Sequence, residues 1–383
     1  MIKKLLVIIP DKLSALIQKG EVVSRYYNPG NLFDEVHIMM TNDDRPDPTL
    51  VQPMVGDAKL YLYNIAPPNH FFRNTFGWQF FLTRNWVNSV LEEINTIKPN
   101  LVRTHNNFLE GYIASQIKNK FNVPYVTSLH GVWDEDDLGT FKAKIHRFFR
   151  KKIERITLKN ADSVICVYSS VLRYAKQYGA KNPQLIQNFV GGAHIKPKSS
   201  WKLSKPIKLI TVNRQLPEKN PENIIKALSL LPYDFEYQVI GDGTLHNHLK
   251  LIAKSLGLER KIKFIKSLPN SKICHLYFQS DFMVSNCHYK GISKTIIEAG
   301  LSGLPIILNK YADNYKLAEY EGGWIRECSD TPEGYASALD NLIKDSKKRE
   351  NLGKKALSLT HKKFSPAKLE EQVCKIYRSL LKK

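Results

Sequence analysis

Short apolar runs of strand length alternate along this chain with longer stretches of helical period, in two successive series. In the first series the strand-like runs are residues 4–9, 35–40, 59–63, 101–104, 124–128 and 163–167. In the second they are 207–212, 236–240, 262–265, 282–285 and 305–308. The stretches between them space apolar residues three and four apart, as in Trp86, Val90, Leu91 and Ile94, or Ile224, Ile225, Ala227, Leu228 and Leu231. Parallel strands need long crossovers, so this alternation predicts parallel sheets covered by helices on both faces. Its double occurrence predicts an α/β chain of two Rossmann-like domains, in keeping with 383 residues at roughly 100–200 per domain.

The polar, proline-punctuated segment 195–206 reads as a linker between an N-terminal domain, 1–195, and a second domain, 206–365. The tail, 366–383, carries Leu369, Val373, Ile376, Tyr377 and Leu380 on one helical face. That face needs a partner, and the N-terminal domain is expected to supply it.

Composition narrows the function. The formal net charge is +21, from 43 lysines and 14 arginines against 36 acids. Such an excess attracts anions of many kinds and says nothing about fold. Much of it, being lysine, reads as solvated surface. Zinc-finger spacing, an aromatic RNA-binding motif and zipper heptads are all missing, so a nucleic-acid partner is not expected. No apolar run approaches the 18 or so residues of a spanning helix. The run 5–9 is too short for a signal-peptide core and reads as a first strand, which predicts a cytoplasmic protein. Five scattered cysteines without paired spacing argue for a reducing compartment and against structural zinc.

The second series holds the most informative loops. Gly291-Ile292-Ser293-Lys294 leads from a strand end near Ser285 into a helix, whose N-terminus offers unpaired amides and a positive dipole end to a phosphate. The first strand of that domain runs into Asn213-Arg214-Gln215-Leu216-Pro217-Glu218-Lys219. Arg214 and Lys219 flank a proline-stiffened turn and can reach one diphosphate. A third loop, Gly241-Asp242-Gly243, follows another strand end. Open parallel sheets bind ligands at the carboxyl ends of their strands, so the three loops together predict a nucleotide-diphosphate site. Glu298, on the helix, reads either as an acceptor for a ribose diol or as a solvated helix carboxylate.

The succession NRQLPEKN, YQVIGDG, KFIKSLPNSKI and KGISKTIIEAGLSGLPII resembles the family 4 glycosyltransferases of the GT-B fold, most strongly over 207–308. The resemblance implies a retaining, metal-independent hexosyltransferase-like enzyme with its site in the cleft between the domains. Its donor would be a nucleotide-diphosphate sugar and its acceptor a glycan or lipid-linked glycan, in cell-surface polysaccharide or glycolipid synthesis. Arg214 and Lys219 match the family's diphosphate grip and Glu298 its ribose-holding glutamate. The family's other glutamate, which contacts the transferred sugar, falls on Lys290. A lysine cannot accept a hydroxyl hydrogen bond. Lys290 therefore implies an altered donor preference, a contact with phosphate, or lost activity. His130, before Gly131, resembles the family's histidine facing the donor sugar, and His105 is a weaker candidate. Lys19-Gly20-Glu21 lies near the family's first glycine loop. A sugar-nucleotide epimerase or hydrolase, or a non-catalytic partner subunit, are the alternatives.

Three further stretches stand apart from these loops. The acidic run Asp134 to Asp137 contains a formal DxD, read as facing solvent or acceptor because no metal is required beside Arg214 and Lys219. Residues 71–87 are aromatic, and 142–159 carry eight basic residues against Glu154, with Ile145, Phe149, Ile153 and Ile156 as an apolar stripe. The stripe reads as core-packed, and the basic face as a candidate for an anionic membrane surface at the inner face of the membrane.

Overall fold

The computed structural model describes residues 2–67, 79–131, 141–188, 190–191, 194–288, 291–310 and 320–382, the side chains of 79–83, 141–143 and 145–146 excepted. The chain divides into two compact units: unit 1, Met1–Phe189 with Pro366–Lys383, and unit 2, Val190–Ser365.

Unit 1 alternates strand and helix in the order β1 (Lys4–Ile9), α1 (Leu13–Gln18), β2 (Glu35–Met40), α2 (Pro48–Val51), β3 (Lys59–Asn64), α3 (Gln79–Ile97), β4 (Leu101–His105) and α4 (Leu109–Phe121). It continues through β5 (Tyr125–Leu129), α5 (Phe141–Asn160), β6 (Ser163–Cys166), α6 (Ser169–Gln177) and β7 (Pro183–Leu185). The seven strands are parallel, in the order β3-β2-β1-β4-β5-β6-β7. β1 lies inside the sheet between β2 and β4, and Leu5, Leu6, Val7, Ile8 and Ile9 are wholly buried. A strand covered on both faces must be apolar at every position, which is why it reads as an unbroken run.

Unit 2 follows the same plan: β8 (Ile207–Val212), α7 (Glu222–Ser229), β9 (Phe235–Ile240), α8 (His246–Ser255), β10 (Ile262–Ile265), α9 (Asn270–Gln279), β11 (Phe282–Ser285) and α10 (Lys294–Leu301). Then come β12 (Ile306–Asn309), β13 (Arg326–Cys328), α11 (Pro332–Lys344) and α12 (Ser346–Lys363). Its six parallel strands are ordered β10-β9-β8-β11-β12-β13. The chain moves outward from β8 in one direction and returns to β11 on the other side. A crevice therefore opens between the loops that leave β8 and β11.

The segment 195–206, read as a linker, is instead tied into unit 2. Lys198 donates from Nζ to the carbonyls of Phe278 and Ser280, each at 2.7 Å. Trp201 Nε1 donates to the Gly303 carbonyl at 2.7 Å, and Arg349 Nε donates to the Trp201 carbonyl at 2.8 Å. Polar irregular backbone looks like linker in sequence, but side-chain hydrogen bonds to backbone carbonyls hold it here.

The last helix, α13 (Pro366–Leu381), returns to unit 1. Leu369, Val373, Ile376, Tyr377 and Leu380 are all buried in the unit 1 core. Each large apolar side chain so buried contributes about 1.5–3 kcal/mol. Tyr377 also accepts a 3.1 Å hydrogen bond from Arg103 Nη1, and Glu370 accepts one of 2.8 Å from the Gly30 amide. All five cysteines are buried free thiols.

Candidate active site

The loop leaving β8 is held by the backbone and side chain of Gln215. The Gln215 amide donates to the Asp242 carbonyl at 2.9 Å, and Gln215 Nε2 donates to the Gly241 carbonyl at 2.7 Å. Gln215 Oε1 meets His246 Nδ1 at 2.8 Å, and Gln215 is fully buried. Gly241, at φ +137°, lies so close that a Cβ would sit 1.8 Å from the Asn213 carbonyl oxygen; at Gly243 it would sit 2.3 Å from that of Gln215. The two glycines, read from sequence as donor-binding, thus shape the loop that carries Arg214. Arg214 is exposed; its carbonyl accepts from the Leu216 amide at 3.1 Å, while its side chain forms no ion pair or hydrogen bond with a described residue. Lys219 ends the short 3-10 turn Pro217–Lys219 and is half-buried.

The loop leaving β11 is joined to it. The His288 amide donates to the Glu218 carbonyl at 2.9 Å, bridging the two sides of the switch point. Asp330 organises the far side of this loop. Its Oδ1 accepts from Asn286 at 2.8 Å and Asn223 at 3.1 Å, while Oδ2 pairs with His288 Nε2 at 2.8 Å. Asn309 closes the ring, accepting from the Cys287 amide at 2.7 Å. Asp330, Asn286 and Asn309 were not foreseen from sequence, because none sits in a recognisable local pattern.

Ser293 caps α10, its Oγ accepting from the Ile296 amide at 3.4 Å. Since α10 follows β11, its positive end points to the strand edge that carries Arg214 and Lys219. Gly291 and Ile292 are buried, and Lys294 is exposed. Glu298 is no solvated carboxylate, being only 5% exposed. Its Oε1 accepts from Asn270 Nδ2 at 2.8 Å, a partner from α9 that sequence reasoning missed. Burial, and after it the Glu298 charge, pushes the Cys274 thiol up to about 12. Lys290 and the run Asp134 to Asp137 lie outside the described residues. Among the described residues no cluster of three metal-ligating side chains occurs.

In unit 1, His130 follows β5 and is half-buried. Its ring stacks on that of His105 at 5.3 Å, and His105 lies 5.4 Å from both Tyr26 and Tyr27. Two residues earlier on the same strand face, Arg103 is 3% exposed and donates to Tyr377 and, at 3.4 Å, to the Tyr26 carbonyl. His105 therefore supports His130 from behind. Gly20 ends α1 at φ +68° rather than following a strand, so it does not form a loop at the sheet edge.

Glu110, at the start of α4, was also missed. It is 2% exposed, accepts from Thr41, and burial raises its pKa. A folded-state pKa above the unfolded one means the folded protein holds the proton more tightly. This contribution is full below the ordinary glutamate value of about 4.3 and is lost as pH rises through the folded value. Glu110→Gln is therefore expected to be more stable than wild type at pH 8, the difference shrinking or reversing toward pH 4. Melting temperatures of the two proteins across that range check it.

A model of the Glycosyl transferases group 1 matches residues 192–358, and one of Glycosyltransferase Family 4 matches 32–191. An uncharacterized glycosyltransferase of Methanocaldococcus jannaschii is 24% identical over 347 residues, which span 85% of this chain and 86% of its own. The N-acetyl-alpha-D-glucosaminyl L-malate synthase of Bacillus anthracis is 23% identical over 71% of each chain. Among solved structures, Anabaena HepE in complex with UDP superposes at a TM-score of 0.74 with 16% identity, covering 98% of this chain and 100% of that one. Two parallel sheets and two matched models define a glycosyltransferase of the GT-B fold. The chain belongs to the family 4 glycosyltransferases and is an enzyme of sugar transfer.

Proposed function

We propose that the protein transfers a sugar, with retention, from a nucleotide-diphosphate donor to a glycan or lipid-linked glycan in polysaccharide or glycolipid synthesis. The observation that carries this reading is the backbone tie from His288 to Glu218, which sets the Arg214–Lys219 loop beside the N-terminus of α10. When the bond from the anomeric carbon to the diphosphate breaks, negative charge grows on the leaving group. In this reading Arg214, Lys219 and the amides of residues 291–294 meet that charge, and donors of this kind stabilise it without a metal ion. Glu298, oriented by Asn270, takes the ribose hydroxyls. His130 and Lys290 address the sugar. HepE, of the same fold, was crystallised with UDP-glucose, which makes uridine the first base to test.

A thermal-shift screen of UDP, GDP and ADP sugars in EDTA tests the reading. At a hundredfold excess over Kd, the matching donor is expected to add about 2.7 kcal/mol of stability. Absence of any shift across the set would sink it, as would isomerised sugar formed from the donor alone. Glu298→Ala should weaken binding of the matching nucleotide roughly 10- to 100-fold, the worth of hydrogen bonds to a charged acceptor.

A further inference from the structure

We infer that the outward face of α5 docks on an anionic lipid bilayer. The inference rests on the surface of unit 1 alone and not on the transfer chemistry. α5 is amphipathic in an unusual sense. Ile153, Glu154, Thr157 and Leu158 face inward and are buried, and the packing there is close: a Cβ on Gly111 of α4 would sit 2.3 Å from Thr157 Cγ2. Of the apolar stripe expected from sequence, Ile153 is buried and Phe149 half-buried, whereas Ile156 is 40% exposed; the side chain of Ile145 lies outside the described ones.

The opposite face is the informative one. Lys144, Phe148, Lys152, Arg155, Ile156 and Lys159 are all exposed and recur every three or four residues, so they form one continuous stripe. Phe148 is 56% exposed, with Lys152 Nζ 4.5 Å from its ring centre. The acid of this helix, Glu154, does not dilute the stripe. It is 2% exposed and is held inside by Arg150 Nε at 2.9 Å and by the Tyr174 hydroxyl. The exposed stripe therefore carries four cations, two large apolar side chains and no carboxylate.

That combination selects the partner. Cations alone would suit any polyanion, including RNA. A phenylalanine and an isoleucine held out among the cations lose apolar surface to water unless they enter an apolar phase, and the headgroup–acyl boundary of a bilayer offers one beneath anionic phosphates. Nucleic acid meets a groove of cations with stacking aromatics but offers nothing to an isoleucine. Arg84 and Lys120, both exposed, border a groove of about 470 Å³ that adjoins Ile156, and they extend the cationic face.

The test is sedimentation of the full chain with vesicles of phosphatidylcholine alone and with phosphatidylglycerol added at about 30%, at low and high salt. The protein should pellet with the mixed vesicles at low salt, and release should follow added salt as surface charge is screened. Each cation removed is expected to lower partitioning about fivefold. The doubly substituted Lys144→Glu/Lys152→Glu protein should then partition at least 25-fold less, with an unchanged melting temperature because both side chains are exposed. Phe148→Ser/Ile156→Ser should weaken binding at low salt while leaving its salt dependence unchanged, because it removes the apolar contribution and keeps the cations. No binding to the mixed vesicles overturns the inference. So does binding that the charge-reversed protein retains, or binding of single-stranded RNA without vesicle binding, which would assign the face to nucleic acid.

Discussion

Arg214→Ala is expected to lower kcat by roughly 10²–10³-fold, the usual loss when one preorganised donor to a developing anion is removed. Its melting temperature should stay close to that of wild type, since the side chain is exposed and pairs with no described residue. Surface substitutions of that kind stay within about 0.5 kcal/mol. The backbone of the loop should also survive, because Gln215, Gly241 and Asp242 hold it without help from the guanidinium. Arg214→Lys keeps a charge but loses the planar fork and should recover only part of the rate. Full activity in Arg214→Ala would remove this residue from the chemistry and move the diphosphate elsewhere.

Gly241→Ala is expected to do the reverse, damaging fold and binding together. The φ of +137° is one that residues with a side chain rarely adopt, and the added Cβ would meet the Asn213 carbonyl at 1.8 Å. The obstacle is backbone on both sides, so no rotamer change relieves it. A loss of about 2–4 kcal/mol in stability is expected from strain at such a position. Nucleotide affinity should fall as well, because Asn213 must shift and Arg214 moves with it. Gly257→Ala is the control. Its φ is also positive, at +66°, but its Cβ would meet nothing within 4 Å, so about 1–2 kcal/mol and unchanged nucleotide binding are expected. Equal damage at both positions would show that backbone strain alone, and not the contact with the Arg214 loop, sets the effect.

The parts of the molecule legible in the sequence are those whose physics is local or fully enclosed. β1 and β8 announce themselves because central parallel strands are apolar throughout. β7 and β13 do not, being three residues long at sheet edges, with residues such as Pro183 and Arg326. Arg214, Gly241 and Ser293 could be picked out because a strand end, a turn and a helix cap each leave a short pattern. The Asp330 hub could not, since its partners lie 42 to 107 residues away. Glu298 was found, but its burial was not, because a helix pattern does not say which polar position a neighbouring helix will cover. Arg103 shows the same limit: its bond to Tyr377 spans 274 residues and depends on where the last helix lands.

That last helix also dictates an order of events during synthesis. Unit 1 is interrupted in sequence by the whole of unit 2, and α13 supplies Leu369, Val373, Ile376, Tyr377 and Leu380 to the unit 1 core. Synthesis exposes the seven strands of unit 1 first, but the segment that seals them follows only after the whole of unit 2. Unit 2, being continuous, can close while the chain is still tethered, as domains do when they emerge intact. Unit 1 must meanwhile wait half-built, with the core surface beside Phe33 and Tyr27 uncovered. Termination at 365 thus leaves a folded unit 2 joined to an unsealed unit 1, a product marked for proteolysis or aggregation rather than one with partial activity.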